Sequence, residues 1–483
     1  MPLKDLRESL EYLEKKGLLV RVKAEVDPHL EVAEIARRVM YRRGPTLLFE
    51  NVKGYRGWRM ATNLFRDLET IRDLLGLDRL EEVGERLVEP LTKPPPIGLV
   101  EKISSLSDLA RLGMSLPKRV KRGDFEDNVI EPGDLDRLPI PKIWPKDAGR
   151  YITYGLTITR DSIRGITNIG VYRIQVLGRD RAVMHWQIHK RGAQAWWEAR
   201  RRGAEKLPVA IAIGADPATM LVGALPVPYP IDKMLFASIL RGSGVEVAEL
   251  GDLLVPARAE IVIQGYVSLE ELVDEGPFGD HTGYYTPPAK YPVLHVERIL
   301  HRDDPIYYFT VVGKPVLEDG WIGKAAERIF LPIIKTMLPE IVDMNLPPEG
   351  LFTGGIAIVS IKKRYPGHAK KVMMGLWGLG HMSLVKVIIV VDHDVNVHDL
   401  GQVLYAISTC VDPQRDVLIV PNAVTDELDH TSQAQGYGSK LGIDATRKLP
   451  EENYGRPWPE EVKPDEEISK LVDSRWREYG IRI

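Results

Sequence analysis

Apolar and polar positions alternate most regularly between Asn168 and His189, in the stretch NIGVYRIQVLGRDRAVMHWQIH. Successive side chains of a strand point to opposite faces, so Tyr172, Ile174 and Val176 share one side and Arg173 and Gln175 the other. Gly178, Arg179 and Asp180 supply a turn. After it Ala182, Met184, Trp186 and Ile188 make a second apolar side and His185, Gln187 and His189 a polar one. With Leu177 facing Arg181, odd positions pair with odd, and Arg173, Gln175, His185, Gln187 and His189 collect on one face. So many donors and titratable groups exceed what an ordinary sheet face buries, which predicts a site for an anionic ligand. The bland alternative is a half-exposed hairpin whose polar side meets water. Asn168 has the wrong strand parity, and a bulge at Gly170 would turn it to the same side.

The remaining pattern divides the chain into three units. Leu3, Leu6, Leu10 and Leu13 sit at helical spacing with charges between them, and PTLLFENV (Pro45 to Val52) and LETIRDLLGL read as a buried strand and a helix, giving an N-terminal α/β unit. KPPPI (Lys93 to Ile97) and LPIPKIWPKD (Leu138 to Asp147) are stiff, extended breaks. From Tyr151 to about Val312 strand patterns dominate, with two helices inserted, GAQAWWEARRRG and IDKMLFASILRG, which predicts a barrel-like β unit. After Lys314 helix and strand alternate again in a third α/β unit. The final helix, EEISKLVDSRWREYG, is suited to docking on a neighbouring subunit.

At 483 residues the chain exceeds one ordinary core, and 44% hydrophobic with 28% charged residues is ordinary for a soluble globular protein. No apolar run approaches the roughly 18 residues of a membrane helix, and the N-terminus lacks the continuous apolar centre of a secretory signal. The net charge of -3, from 65 basic and 68 acidic residues, provides no bulk field for nucleic acid, so a small-molecule ligand is expected. Cys410 is the sole cysteine, which excludes an intrachain disulfide and fits a reducing cytoplasm. Charges of both signs and 35 prolines suit a heat-adapted protein.

Val273 to Tyr285, VDEGPFGDHTGYY, is the second stretch with chemistry. Gly276, Pro277, Gly279 and Gly283 prevent a helix and hold Glu275, Asp280 and His281 on a shaped loop that Phe278, Tyr284 and Tyr285 keep from full exposure. Two carboxylates beside an arginine are expected to have their pKa values pushed apart, one held ionised and the other kept able to deliver a proton. DHDVNVHD (Asp392 to Asp399) starts like a calcium loop, but Val397 replaces its glycine and Val403 its final acid, so it is read as a strand end. GLWGLGH lacks the spacing and lysine of a phosphate loop, and GYGSKLGIDAT (Gly436 to Thr446) is read as a structural turn with some capacity for phosphate. His185 and His189 are placed on a strand, so zinc-helix logic does not apply, whereas Asn168 and His189 jointly suit a hard divalent ion such as manganese.

Taken in order, GPTLLFENVKGY, N-x-G-x-Y-R, EGPFGDHTGYY, VGKPVLED and SKLGIDAT span nearly the whole chain and resemble the UbiD-like decarboxylases. The resemblance implies an α/β (α+β) fold: an N-terminal α/β domain over 1–115, a central split β-barrel prenylated-flavin-binding domain over 116–313, and a C-terminal α/β domain over 314–483 with an oligomerisation helix. It implies prenylated FMN, Mn2+ and K+ as cofactors, a flavin prenyltransferase as cofactor supplier, and a homo-oligomer. Arg173, Glu275 and Asp280 match the catalytic positions. Val171, Tyr172, Arg173, His185, Trp186, Gln187, Lys190 and Arg191 match the cofactor-lining segments, and Asn168 and His189 match metal positions.

The implied activity is non-oxidative decarboxylation of an α,β-unsaturated acid, with trans-anhydromevalonate 5-phosphate preferred and 4-hydroxy-3-polyprenylbenzoate or another aromatic acid as alternative. A flavin-binding carrier without turnover is the rival from another class. One position departs from the family: Lys233 stands where a metal-binding glutamate is usual. Either Asp232 takes over as ligand, or the Lys233 ammonium bonds the flavin phosphate directly and weakens metal binding, or the lysine is simply solvated.

Overall fold

A computed structural model describes residues 2–92, 115–161, 163–352 and 354–481; the KPPPI break lies outside them. Near the N-terminus the leucine stripe forms α1 (Leu6–Lys15), which begins where the Asp5 carboxylate accepts from the Glu8 amide at 2.8 Å. Leu6, Leu10 and Leu13 bury its inner face. It packs near β1 (Leu19–Val26), β2 (Thr46–Val52) and β3 (Arg59–Thr62), with α2 (Glu31–Tyr41), α3 (Leu68–Leu75) and α4 (Glu81–Thr92) completing this part.

The middle of the chain is built on strands: β4 (Lys118–Val120), β5 (Asn128–Ile130), β6 (Tyr151–Arg160), β7 (Thr167–Val176), β8 (Arg181–Met184), β9 (Lys206–Ile213), β10 (Glu246–Leu250), β11 (Leu253–Pro256), β12 (Ile261–Glu275), β13 (Phe278–Gly279), β14 (Tyr285–Thr286) and β15 (Ala289–His301). Six of them run in the order β12-β9-β6-β7-β8-β15, and β12 also pairs antiparallel with β15, so the sheet closes into a ring with β5 attached outside the cycle. Closure leaves the ring's strands paired on both sides, which is the firmest support a fold can give to side chains carried on them. A fourth strand of the N-terminal sheet, β16 (Ile306–Tyr308), arrives after the ring and lies parallel to β3.

Both helices expected in this stretch form, as α5 (Arg191–Arg201) and α7 (Lys233–Arg241). A third lies between them, α6 (Pro217–Ala224), which the periodicity did not announce because Pro217 to Gly223 are all buried and leave no polar stripe. The last part holds α8 (Glu318–Met337), β17 (Ile341–Asn345), β18 (Ile356–Ile361), α9 (His368–Trp377), β19 (Val387–Asp392), α10 (Leu400–Cys410), α11 (Pro413–Asp416), β20 (Val417–Val424), β21 (Tyr437–Ala445) and α12 (Glu466–Arg475). Its sheet runs β17-β18-β19-β21-β20. The whole is a mixed α/β fold. The Gly-rich run read as a turn is β21, where Gly442 makes room for Met373 and Trp377. Asp399, in the rejected calcium loop, caps α10 instead. None of the residues of α12 is buried. Among the described residues no helix is long and apolar enough to cross a membrane.

Candidate active site

The hairpin has the expected register: Ile174 faces Met184, Gln175 faces Val183, and the Leu177 amide donates to the Arg181 carbonyl at 3.0 Å. The second strand is shorter than its alternation suggests. It ends at Met184, and although the His185 amide still reaches the Arg173 carbonyl at 3.2 Å, Gln187 and His189 lie in a turn that leads into α5. Ile188, expected on the apolar side, is 72% exposed as a result. The bulge expected at Gly170 is also absent: β7 is continuous there, and the irregularity falls on β6 between Ile152 and Gly155, opposite Arg173. Gly170 has a different role, because a Cβ on it would come within 2.3 Å of the Tyr172 ring.

Arg173 is the centre of a buried ion triad. Its Nε and Nη2 donate to the two carboxylate oxygens of Glu275 at 2.9 and 2.8 Å, and its Nη1 donates to Asp280 Oδ2 at 2.5 Å. Nη2 also reaches Thr286 Oγ1 at 3.0 Å, and the guanidinium lies 4.7 Å from the centre of the Phe278 ring. Glu275 is the last residue of β12, and Asp280 directly follows β13 in the turn that leads to its partner β14, where its amide donates to the Tyr284 carbonyl at 3.1 Å, so backbone pairing holds both acids. Gln175, on the Arg173 side of β7, accepts from the Gly276 amide at 2.8 Å and from the Tyr151 hydroxyl at 3.0 Å, which locks the start of the loop. Phe278 is buried as expected, while Tyr284 is 62% exposed.

The electrostatics differ from the expected split between two acids. Burial opposes ionisation of Glu275, yet the His185 hydrogen bond at 2.9 Å and the Arg173 charge outweigh it and hold the acid at about 2. Asp280 is likewise held below the carboxylate range, against its burial, by His281 and Arg173. The proton of this group resides on His281, whose Nδ1 lies 2.9 Å from Asp280 Oδ1 and which is raised to about 9 because that pairing overcomes its burial. His185 moves the other way, lowered by burial and by Arg173. Asp319, at the start of α8, is raised to about 7 by burial, partly offset by His281, and its Oδ2 is buried without a partner. Sequence reasoning named His281 without a role and missed Thr286, which directly follows the VDEGPFGDHTGYY stretch, and Asp319, which ends VGKPVLED, because neither motif shows what these side chains meet.

Buried polar atoms without a hydrogen-bond partner concentrate between Asn168 and Arg191: Arg181 Nε near the hairpin turn, and Asn168 Oδ1, His185 Nε2, Trp186 Nε1, Gln187 Nε2, His189 Nε2 and Arg191 Nη2. Buried polar groups are nearly always paired, with protein, ordered water or a ligand, so a cluster of this kind marks a place where one of these fits. Lys190 is lowered by burial, opposed by the carboxylates of Asp426, Glu427 and Asp280, so it stands between the last part of the chain and the triad. Glu427 accepts from the Ile188 amide at 2.9 Å, and the His189 and His381 rings are 6.5 Å apart. A cavity of about 630 Å³ opens next to Asn168 and Arg191, lined also by Thr159, Gln194, Lys206 and Tyr229. Arg173, Glu275 and Asp280 do not line it. An indole N–H, a carboxamide N–H, imidazole nitrogens and basic side chains are the right partners for the polar edge and phosphate of a flavin nucleotide, so these residues fit the cofactor.

They do not fit a three-ligand divalent metal. Asn168 Oδ1 and His189 Nε2 are free to ligate, but Lys233, at the third position, brings a cation. Asp232 does not replace it, because its carboxylate accepts from the amides of Met234 at 2.8 Å, Leu235 at 3.0 Å and Thr167 at 2.7 Å. Among the described residues no group of three or more His, Cys, Asp or Glu side chains is placed to hold a metal. Nor is Lys233 solvated: it is 6% exposed.

The structure thus has a closed strand ring that carries an arginine between two carboxylates, with unpaired buried polar atoms alongside. Family models for the N-terminal, Rift-related and C-terminal domains of 3-octaprenyl-4-hydroxybenzoate carboxy-lyase match residues 10–87, 118–315 and 320–445. The chain belongs to the UbiD family of carboxy-lyases. An uncharacterized protein of Aeropyrum pernix is 55% identical over 99% of both chains. Among solved structures, the vanillic acid decarboxylase of Sedimentibacter hydroxybenzoicus in closed form is 29% identical over all of both chains, with a TM-score of 0.86. The UbiD-class enzyme HmfF of Pelotomaculum thermopropionicum in complex with FMN is 32% identical over 97% of this chain and 99% of that one, TM-score 0.78. An evolved dimeric form of it, in complex with prFMN, is 30% identical over 98% and 100%, TM-score 0.77.

Proposed function

We propose that the chain is a decarboxylase that removes carbon dioxide from an α,β-unsaturated acid with prenylated FMN, the strand ring serving as the family's split β-barrel. The single observation that carries this is the buried Arg173–Glu275–Asp280 triad together with the partnerless polar atoms of the segment that leads from the Arg173 hairpin into α5. When bound, the flavin supplies the electron sink as carbon dioxide leaves. Arg173 orients the substrate carboxylate, and in doing so loosens its hold on Asp280. Deprived of part of its counter-charge, Asp280 takes the proton stored on His281 and delivers it to the product carbon. Glu275 stays ionised beside Arg173 and neutral His185 and keeps the guanidinium in place. No step runs through manganese, since the donors at Asn168, His189 and Lys233 do not make a three-ligand divalent site.

For the substrate we carry trans-anhydromevalonate 5-phosphate, whose phosphate would need basic residues near the site beyond those that meet the flavin phosphate. The aromatic reading is favoured by the likeness to vanillic acid decarboxylase. We place the enzyme in the cytoplasm, supplied by a flavin prenyltransferase, as a homo-oligomer using the exposed α12, and we retain domain limits near 115 and 313. The test is carbon dioxide release from both acids by protein co-expressed with a flavin prenyltransferase. Release from the aromatic acid alone rejects the phosphate substrate, and release from neither, with cofactor bound, favours a carrier.

A further inference from the structure

Lys233 joins two helices at once. It is the first residue of α7, and its ammonium donates to the carbonyl oxygens of Leu225 at 3.0 Å, Val222 at 3.2 Å and Gly223 at 3.5 Å, at the C-terminal end of α6. The Val222 and Leu225 carbonyls also accept from the Leu225 and Val227 amides, at 3.2 and 2.9 Å, and the negative end of the α6 dipole favours a cation on their remaining lone pairs. The Nζ position is thus fixed by three bonds on a buried site, unlike a loose surface lysine, while burial lowers the ammonium to about 7, so an anion beside it would restore its charge. It forms no ion pair with a carboxylate among the described residues, and the charged groups acting on it are Arg191 and Lys190, both cations. Arg191 in turn feels Asp232 and Asp161. Three basic groups converge with Arg191 Nη2 and His189 Nε2, both buried and without partners. Carboxylates face Lys190 and Arg191 but none acts on Lys233, so an anionic ligand would complete the corner on its Lys233 side.

We propose that Lys233 acts as a built-in cation for the flavin phosphate, so that this chain binds its nucleotide through Lys233, Arg191 and Lys190 without a divalent metal. The inference rests on the flavin-binding reading above. Charge is its working principle: the ammonium, held in its carbonyl cage, neutralises phosphate from a fixed position, as a metal ion would, while Arg191 and His189 supply the direct hydrogen bonds.

The test uses the full-length protein, FMN as probe, and Mn2+. FMN affinity is followed by quenching of flavin fluorescence with and without EDTA, and bound Mn2+ by electron paramagnetic resonance. The wild type is expected to bind FMN equally well in both conditions, within about twofold, and to leave Mn2+ free. Lys233→Glu is expected to lose about tenfold or more in EDTA, recover with Mn2+ and hold one ion per chain; Lys233→Met loses affinity without rescue. If chelation weakens the wild type about tenfold, or one Mn2+ binds per chain and strengthens FMN binding, the proposal is overturned while the flavin reading stands. If the wild type binds no FMN in either condition, both fall. Should Lys233→Glu fail to fold by circular dichroism, the wild-type comparison alone decides.

Discussion

The imidazole of His281 stands 2.9 Å from Asp280 Oδ1, and Asp280 in turn accepts from Arg173, so one carboxylate is shared between two cations of which only one can give up a proton. That asymmetry sets the pH behaviour. His281 is raised from its ordinary 6.5 to about 9, so the pairing contributes full stability below about 6.5 and loses it as pH rises through about 9. We expect thermal melts of the wild type to fall over this window by an amount on the order of 1–3 kcal/mol in unfolding free energy. Decarboxylation should decline over the same range. His281→Asn should flatten both profiles; an unchanged alkaline limb in the variant refutes the assignment.

Glu275 gives the opposite limb. Its folded value of about 2 lies below the ordinary 4.5, so its contribution is present above about 4.5 and is lost as pH falls toward 2. Glu275→Gln removes the charge and keeps the shape. We expect turnover to drop roughly 10²–10⁴-fold with FMN affinity within about threefold of wild type, measured by carbon dioxide release and fluorescence titration. A non-catalytic carrier would keep its cellular function in this variant.

Arg173→Ala should behave differently, because it strands two buried acids. The expected cost is about 3–5 kcal/mol of stability at pH 7, with carbon dioxide release abolished, and part of the stability returns on adding Glu275→Gln. Urea denaturation of the single and double variants reads this directly. Equal stability of the two would show that the triad is not coupled.

Asp319 is a buried acid raised to about 7, mainly by burial. As the folded value lies above the ordinary 3.8, the ionised group weakens the fold above that window. Asp319→Asn should therefore stabilise the protein at pH 8, by roughly 1–2 kcal/mol, and lower the pH at which His281 releases its proton. Melting curves and the alkaline limb of the rate profile provide the two readouts.

Gly170→Ala should cost about 1–3 kcal/mol and weaken FMN binding, since the new methyl would sit 2.3 Å from Tyr172, whose hydroxyl accepts from the Gly192 amide at the start of α5. Differential scanning calorimetry and FMN titration check it.

Much of the hairpin was legible because its alternation is long and the turn at Gly178 to Asp180 leaves one register open, Leu177 against Arg181. The pattern misled beyond Met184: Trp186 continues the apolar parity and is buried, yet it reaches the core from a turn, and nothing in a two-residue period marks where pairing stops. Arg173, Glu275 and Asp280 could be singled out by residue type and by the constrained loop, whereas their protonation could not. That depends on His281 and His185, whose partners are set by tertiary contact. The groups brought by the last part of the chain, Glu427 against Ile188 and His381 near His189, lie more than 190 positions away and left no trace in local spacing. Helix α6 escaped for the same reason that buries it, the lack of a wet side.

The return of β16 to the N-terminal sheet, where Tyr307 pairs with Met60, stitches the opening third of the molecule to a segment some 250 residues later. A shortened protein beginning after residue 115 would carry that strand with no neighbour to receive it, and the separated front piece would bare the flank of β3. Dissection of this enzyme into independently expressed parts is therefore expected to yield aggregates from both halves, and libraries built by recombining relatives should keep both crossing points from one parent.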